Sequence, residues 1–490
     1  MKFISLLALL LGLTLSANAS LQFDSNCILA YKKIMNFELG AGRKLLVKER
    51  LEVPGNQIPL LLDNYIDFFT LLSGERQGDY DRFKKNMQLR LNALSTGDRS
   101  SPWYDYAQGE INLQGALIKA RFQDYWSAAW EIKHASYFLQ DNFKKFPDFL
   151  PDNNGRGLLI ALFGSFPPGL KVAVGFLGLE ANTTKGIQLM ETTMKRLQSG
   201  KYAYLYDESA LYLSFIQSSI TDSPDNFNQC IERCKQIDSR SLLKAYVIGY
   251  VALRTGHSDV AISVLNARPS GPQYIPFAQL DYLSGIAHLN RMDSDASTYF
   301  HKFLTENQGL SFIKDAYLRI AYSAYLLHNE TAYRGNLKKV ISEGFTYSEK
   351  DKQALREANA GIAAEPLLRA RLSFDGGYYD KALTYLTAIN IESLHEERAK
   401  LEYLYRLGRI YEALNKTADA MHYYLLAAKR GQNSQYYFAA NAALHLAMIY
   451  EAQHDFSSAR NFYRLCLNMK EEEYKSGIDN QAQDGLKRLK

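Results

Sequence analysis

The sequence predicts an all-α chain built as an α-solenoid, antiparallel helix pairs stacked side by side into a right-handed superhelix, and three observations predict it. Apolar residues recur at three- and four-residue spacing over long stretches, and 12 prolines in 490 residues leave room for long helices. Anchor positions recur as well, small at all but one: Ala261, Ala296, Tyr333, Ala382, Ala420 and Ala459 follow one another at intervals of 35, 37, 49, 38 and 39 residues. Twelve positions before each stand Gly249, Ser284, Ala321, Ala370, Gly408 and Ala447, all small. Finally, in the stretch Leu401 to Ala428 small positions Gly408, Ala420 and Ala427 interleave with Tyr411 and Tyr424. Two antiparallel helices approach closely only where one offers a small residue, and the rings then fill the groove beside the contact. A chain this long exceeds one hydrophobic core, which an elongated array resolves. Tyr333 breaks the pattern, and the interval of 49 that follows it predicts an extra helix between Ser342 and Ala363.

The leading residues read as an address. Lys2 supplies the charge, Leu6 to Leu15 the apolar run, and Ala17-Asn18-Ala19 a cleavage site before Ser20. The run is too short to span a bilayer, so residues 1–19 are expected to be a signal peptide. The chain is then exported to the periplasm or cell envelope, or secreted. Cys27 follows Asp24-Ser25-Asn26 rather than the apolar run, which argues against lipid anchoring. Lys+Arg 57 against Asp+Glu 52 gives +5, or +4 without Lys2. That excess is too small, unless clustered, to predict a nucleic acid or membrane-surface partner. Cys230 and Cys234 lie four apart in a helical segment, where Cβ atoms stand about 6 Å apart and a disulfide wants about 3.8 Å. They read as packing thiols, as does Cys466.

From Phe23 the chain is helical with short breaks. Ala30 to Arg50 and Ile58 to Leu72 are separated by the turn Val53-Pro54-Gly55-Asn56. Gly40-Ala41-Gly42-Arg43-Lys44 lacks the preceding strand and remaining glycines of a phosphate loop. The next unit pairs helices over Tyr104 to Ala120 and Trp126 to Asn142. Trp126 and Trp130 share a face there, and they are expected to form a core ridge rather than a sugar platform. Between Asn153 and Met190 the run from Gly157 to Leu179 carries one charge, Lys171, but Pro167-Pro168-Gly169 cuts it into pieces too short to cross a membrane. An apolar helical hairpin buried within the fold is expected, with no transmembrane span after signal removal. The tail from Lys470 is charged enough to be a capping helix or to fray.

Leu404, Leu407, Gly408 and Tyr411, followed by Ala420, Tyr424 and Ala427, resemble one tetratricopeptide repeat. Together with SSPWYDYAQGEINLQGALIKARFQDYWSAAWEIKHA, Phe146-Pro147-Asp148-Phe149-Leu150-Pro151 and the Pro/Gly hairpin, the chain resembles the exported tetratricopeptide-repeat proteins of Bacteroidetes-type bacteria. It is more faintly similar to the eukaryotic inclusion-body clearance family. The resemblance implies an interaction scaffold and says little about chemistry. Three parts are expected: the leader 1–19, a helical region 20–200 that includes the hairpin 153–190, and a repeat array 201–490.

In such a superhelix the first helix of each pair lines the concave wall. The second, fifth, ninth and twelfth repeat positions then place Tyr246, Tyr250, Tyr322, Tyr325, Arg371, Tyr405, Arg409, Glu412 and Met448 along one surface. A track of tyrosines with two arginines suits an extended peptide: rings cover apolar side chains and guanidinium groups donate to carboxylates or backbone oxygens. The same rings could instead pack against adjacent repeats. No catalytic constellation, metal set or cofactor motif emerges. His395-Glu396-Glu397-Arg398 lacks the second histidine of a zinc helix, and no Gly-x-Ser-x-Gly elbow is present. The expected function is a non-enzymatic scaffold binding a protein or peptide partner. The alternatives are a glycan-binding repeat protein of the starch-utilisation type and, behind it, an enzyme with a pocket at the hairpin.

Overall fold

The computed structural model describes residues 20–489 apart from 167–170, 172–174, 176–178, 222, 362–363 and 472. The expected leader and the Pro167-Pro168-Gly169 centre of the hairpin lie outside the described residues. Within them stand 24 α-helices and no strand; Ser20 and Asn56 make one isolated bridge.

One turn repeats along the chain. Gln123, Gly256, Met292, His328, Gly377, Asn415 and His454 all take left-handed backbone conformations, with φ between +56° and +86°. After each, the next N–H reaches back five residues: Asp124 to Lys119, His257 to Ala252, Asp293 to His288, Asn329 to Ala324, Tyr378 to Ser373, Lys416 to Tyr411 and Asp455 to Tyr450. This is the Schellman closure, which satisfies carbonyls orphaned at the end of a helix. It turns the chain back antiparallel within two or three residues, so each first helix is followed at once by its partner. From Gly256 onward these turns keep the expected repeat intervals to within one residue, including the long one between His328 and Gly377. That long interval holds the helix Glu349–Ala360, which the spacing predicts.

Close packing within pairs follows the small-against-large rule. A Cβ on Gly408 would stand 2.5 Å from the Tyr424 ring, one on Gly285 2.8 Å from Phe300, and one on Gly485 2.3 Å from Tyr463. The last contact seats the final helix Lys475–Arg488 on the preceding one, so the tail caps the stack. The helices Asp152–Gly164 and Thr183–Leu197, which hold the two ends of the hairpin stretch 153–190, cross backbone to backbone: a Cβ on Gly186 would meet the Ala161 nitrogen at 2.4 Å and the Gly157 oxygen at 2.5 Å.

Two expectations need correction. Ala30 to Arg50 is not one helix but two, Ser25–Met35 and Leu39–Glu52, because Phe37 at φ +72° buries its ring in the break. Trp126 and Trp130 form no core ridge: the helix Tyr125–Lys145 packs through Ala128, Ala135, Ser136 and Leu139, leaving Trp126 91% and Trp130 60% exposed.

The stack also curls back on itself. Glu75 accepts the N–H groups of Leu310 and Ser311 at 3.3 and 3.0 Å. Gly377 lies so close to the Gly256 carbonyl that a Cβ would stand 1.9 Å from it, and Tyr378 donates to Asp259 at 2.9 Å. One apolar core runs from Leu21 to Leu372, a second from Leu401 to Ala482, and a small cluster around Leu367, Leu386 and Leu407 lies between them.

Candidate functional site

The junction of these cores encloses a cavity of about 230 Å³. Helix Glu397–Ala413 presents Glu402, Tyr405, Arg406 and Arg409 to it, residues three and four apart and hence on one helical face. The neighbouring first helix, Glu365–Gly376, adds Arg371, Phe374 and Asp375. The extra helix contributes Gln353, Arg356 and Glu357, and Glu473 and Tyr474 arrive from the turn before the final helix. Tyr474 is itself left-handed at φ +56°. With Arg356 and Glu473 it separates the cavity from a wider recess of about 1020 Å³.

Five arginines, counting Arg398, face four carboxylates around this space. Most are matched. Arg371 pairs with Glu357 at 3.1 Å, Arg406 with Glu402 at 2.5 Å, and Arg398 reaches Glu473 at 3.9 Å. Burial alone would raise the Glu357 carboxyl. Arg371 and the hydroxyl of Tyr322, which donates to it, prevail and hold it at about 2. Arg409 is matched differently. It donates to the Tyr405 hydroxyl at 2.9 Å and lies 5.1 Å over the Phe374 ring, and among the described residues no carboxylate forms an ion pair with it. Burial pulls its pKa down, but Tyr405, Tyr424 and Glu412 push it above the ordinary value, so it stays a cation. Arg356 faces the Tyr474 ring at 5.9 Å, likewise with no ion pair among the described residues. The cavity thus offers two guanidinium groups with donors to spare between aromatic walls, the chemistry that holds a carboxylate beside an apolar group.

Of the residues the repeat positions single out, the structure gathers Arg371, Tyr405 and Arg409 here. Tyr322 stands behind Arg371, 5.0 Å from its guanidinium carbon. Glu412 is engaged by Tyr424 at 2.5 Å and His445 at 2.9 Å; burial raises its pKa, but these partners bring it below the usual carboxylate range. Tyr246 and Tyr250 stack in a separate cluster with Phe215 and Phe277. Tyr325 leans on Tyr333, 5.3 Å away, and Met448 is exposed. Arg356, Glu357 and Tyr474 escape a reading by repeat register because their segments lie outside it. The long interval marked where the first two would be found.

The chain is therefore an all-α solenoid of helical repeats with an arginine- and tyrosine-lined cavity in its C-terminal part. No sequence family matches it, and no curated protein does. Solved structures resemble it over most of its length. Human IFIT1, described as a dimer with PPP-AAAA, shares 12% identity at TM-score 0.32, over 96% of this chain and 95% of that one. Yeast Tom70 shares 13% identity at TM-score 0.23, over 94% and 96%. Likeness at this level concerns helical build alone.

Proposed function

We propose that this chain is a non-enzymatic scaffold of the bacterial cell envelope, of the exported tetratricopeptide-repeat kind, that captures a partner protein by an extended, carboxylate-bearing peptide segment. Arg409 carries this reading. A cation lining a cavity, held by a phenol and a ring face and without an ion-paired carboxylate among the described residues, is poised for an anion from outside. Tyr405, Phe374 and Tyr437 supply the apolar walls that a neighbouring side chain needs. The leader-like residues 1–19 and the resemblance to exported repeat proteins support the location.

Crosslinking pull-down from the native envelope tests it, comparing the mature chain with Arg409→Gln and with Tyr405→Phe/Arg409→Gln. Both variants keep most of the side-chain bulk and a polar end that can still hydrogen-bond. A charge-assisted hydrogen bond is worth roughly 1.5–3 kcal/mol, so capture of the partner should weaken by about ten- to a hundredfold while the melting temperature holds. Equal capture by all three chains would refute the site.

A further inference from the structure

The outer side of helix Tyr125–Lys145 carries a second feature, independent of the cavity. Trp126, Trp130, Lys133 and Tyr137 recur at spacings of four, three and four, which places them on one face, and Lys144 continues it two turns on. Trp126, Trp130 and Tyr137 are each more than half exposed, as is Tyr125 at the helix start. The opposite face is fully used in packing, and its Glu131 is paired with Lys119, so the stripe has no role in the core.

A distant segment extends it. Gln123 donates to the Tyr347 carbonyl at 3.5 Å, bringing the segment that carries exposed Phe345 and Tyr347 against the turn that opens this helix. Two of the chain's three tryptophans thus stand in one exposed aromatic patch. Its cations are available: Lys133 lies 5.7 Å from the Trp130 ring, and neither it nor Lys144 has an ion pair among the described residues. The nearby carboxylate Asp141 is already occupied by Lys145 at 2.6 Å.

We propose that this face docks the protein on an anionic lipid bilayer, the helix lying in the plane of the interface. Soluble proteins rarely leave so many large rings together in water. Tryptophan and tyrosine settle at the headgroup level of a bilayer, where an apolar ring meets a wet edge. Lysines interleaved with them match anionic headgroups, and a helix with this division of faces lies along such a surface without crossing it. Among the described residues no helix is long and apolar enough to cross a membrane, so the contact is interfacial.

The test is flotation of the full mature chain with vesicles of phosphatidylglycerol mixed with phosphatidylcholine, and with phosphatidylcholine alone. The wild type should float with the anionic vesicles and its tryptophan emission should shift to the blue, because the third tryptophan, Trp103, is buried. Trp126→Ser/Trp130→Ser should stay behind with unchanged circular dichroism, these being surface positions. Lys133→Glu/Lys144→Glu should lose about thirtyfold or more in partition to the anionic vesicles. A wild type that floats with neither vesicle overturns the proposal, even if tryptophan-dependent binding to a glycan or to a second copy of the chain is then found. Flotation of the tryptophan variant equal to wild type overturns it as well.

Discussion

Asp152 is wholly buried, with both carboxylate oxygens 2.8–2.9 Å from the Asn142 amide. Burial outweighs that contact and the pull of Arg156 and lifts the group to about 8. Burial also raises Glu110 and Glu208 in the same region, and the Glu208 carboxyl adds to the rise at Glu110. An acid raised on folding stabilises the fold most below its unfolded pKa, about 3.9 for Asp, and that stability drains away as pH climbs to about 8. Glu357 acts in the opposite sense: held at about 2, it stabilises above its unfolded value near 4.3 and loses this as pH falls. Urea midpoints should therefore decline from pH 5 to pH 8, and Asp152→Asn, which cannot ionise, should flatten that decline by up to about 1.4 kcal/mol per pH unit. An unaltered slope would refute the assignment. None of this was legible in the sequence, because amphipathic helices carry many acids and burial is a tertiary property. Tyr405 was legible by position only. Repeat register put it on the groove side, but its ring is 3% exposed, so it contributes a hydroxyl to the cavity and its bulk to the core. Truncating it to alanine would cost about 3–5 kcal/mol, which is why the phenylalanine variant is the informative one.

Among elements, the crossing of Asp152–Gly164 with Thr183–Leu197 depends on hydrogen in place of a methyl group. Gly186→Ala drives a carbon into backbone atoms of the facing helix, which no rotamer change relieves, and should destabilise by about 1–3 kcal/mol or more. Gly335 makes the contrast: mid-helix in Glu330–Ser342, a Cβ there meets nothing within 4 Å. Gly335→Ala should stabilise by roughly 0.5–1 kcal/mol. Thermal melts of the two variants moving in one direction would contradict this account. The pairs themselves were legible because a small residue opposite a ring leaves a fixed interval, as with Gly408 and Tyr424. Their turns were not, since the left-handed position is filled by Gln, Gly, Met, His or Asn and follows no single residue type. Nor was the exposure of Trp126 and Trp130. Aromatics four apart mark one face of a helix equally well whether it points inward or outward, and here the smaller Ala128, Ala135 and Leu139 occupy the inner side.

For the molecule as a whole, the curl that joins Glu75 to Leu310 and Gly256 to Gly377 departs from a stack whose units meet only their neighbours. Spacing along the chain predicts neighbours; contacts between residues more than a hundred positions apart have no periodic signature. They tie the first core into one body, while the second core from Leu401 to Ala482 joins it across the cavity. The four cysteines are distributed over this division, all free and all buried: Cys27, Cys230 and Cys234 in the first core, Cys466 in the second. Each thiol is accordingly a built-in clock. Pulse labelling under native conditions, read by mass spectrometry, should modify Cys466 on its own timescale and the other three together, and peptide bound in the cavity, which helices of both bodies line, should slow the Cys466 clock.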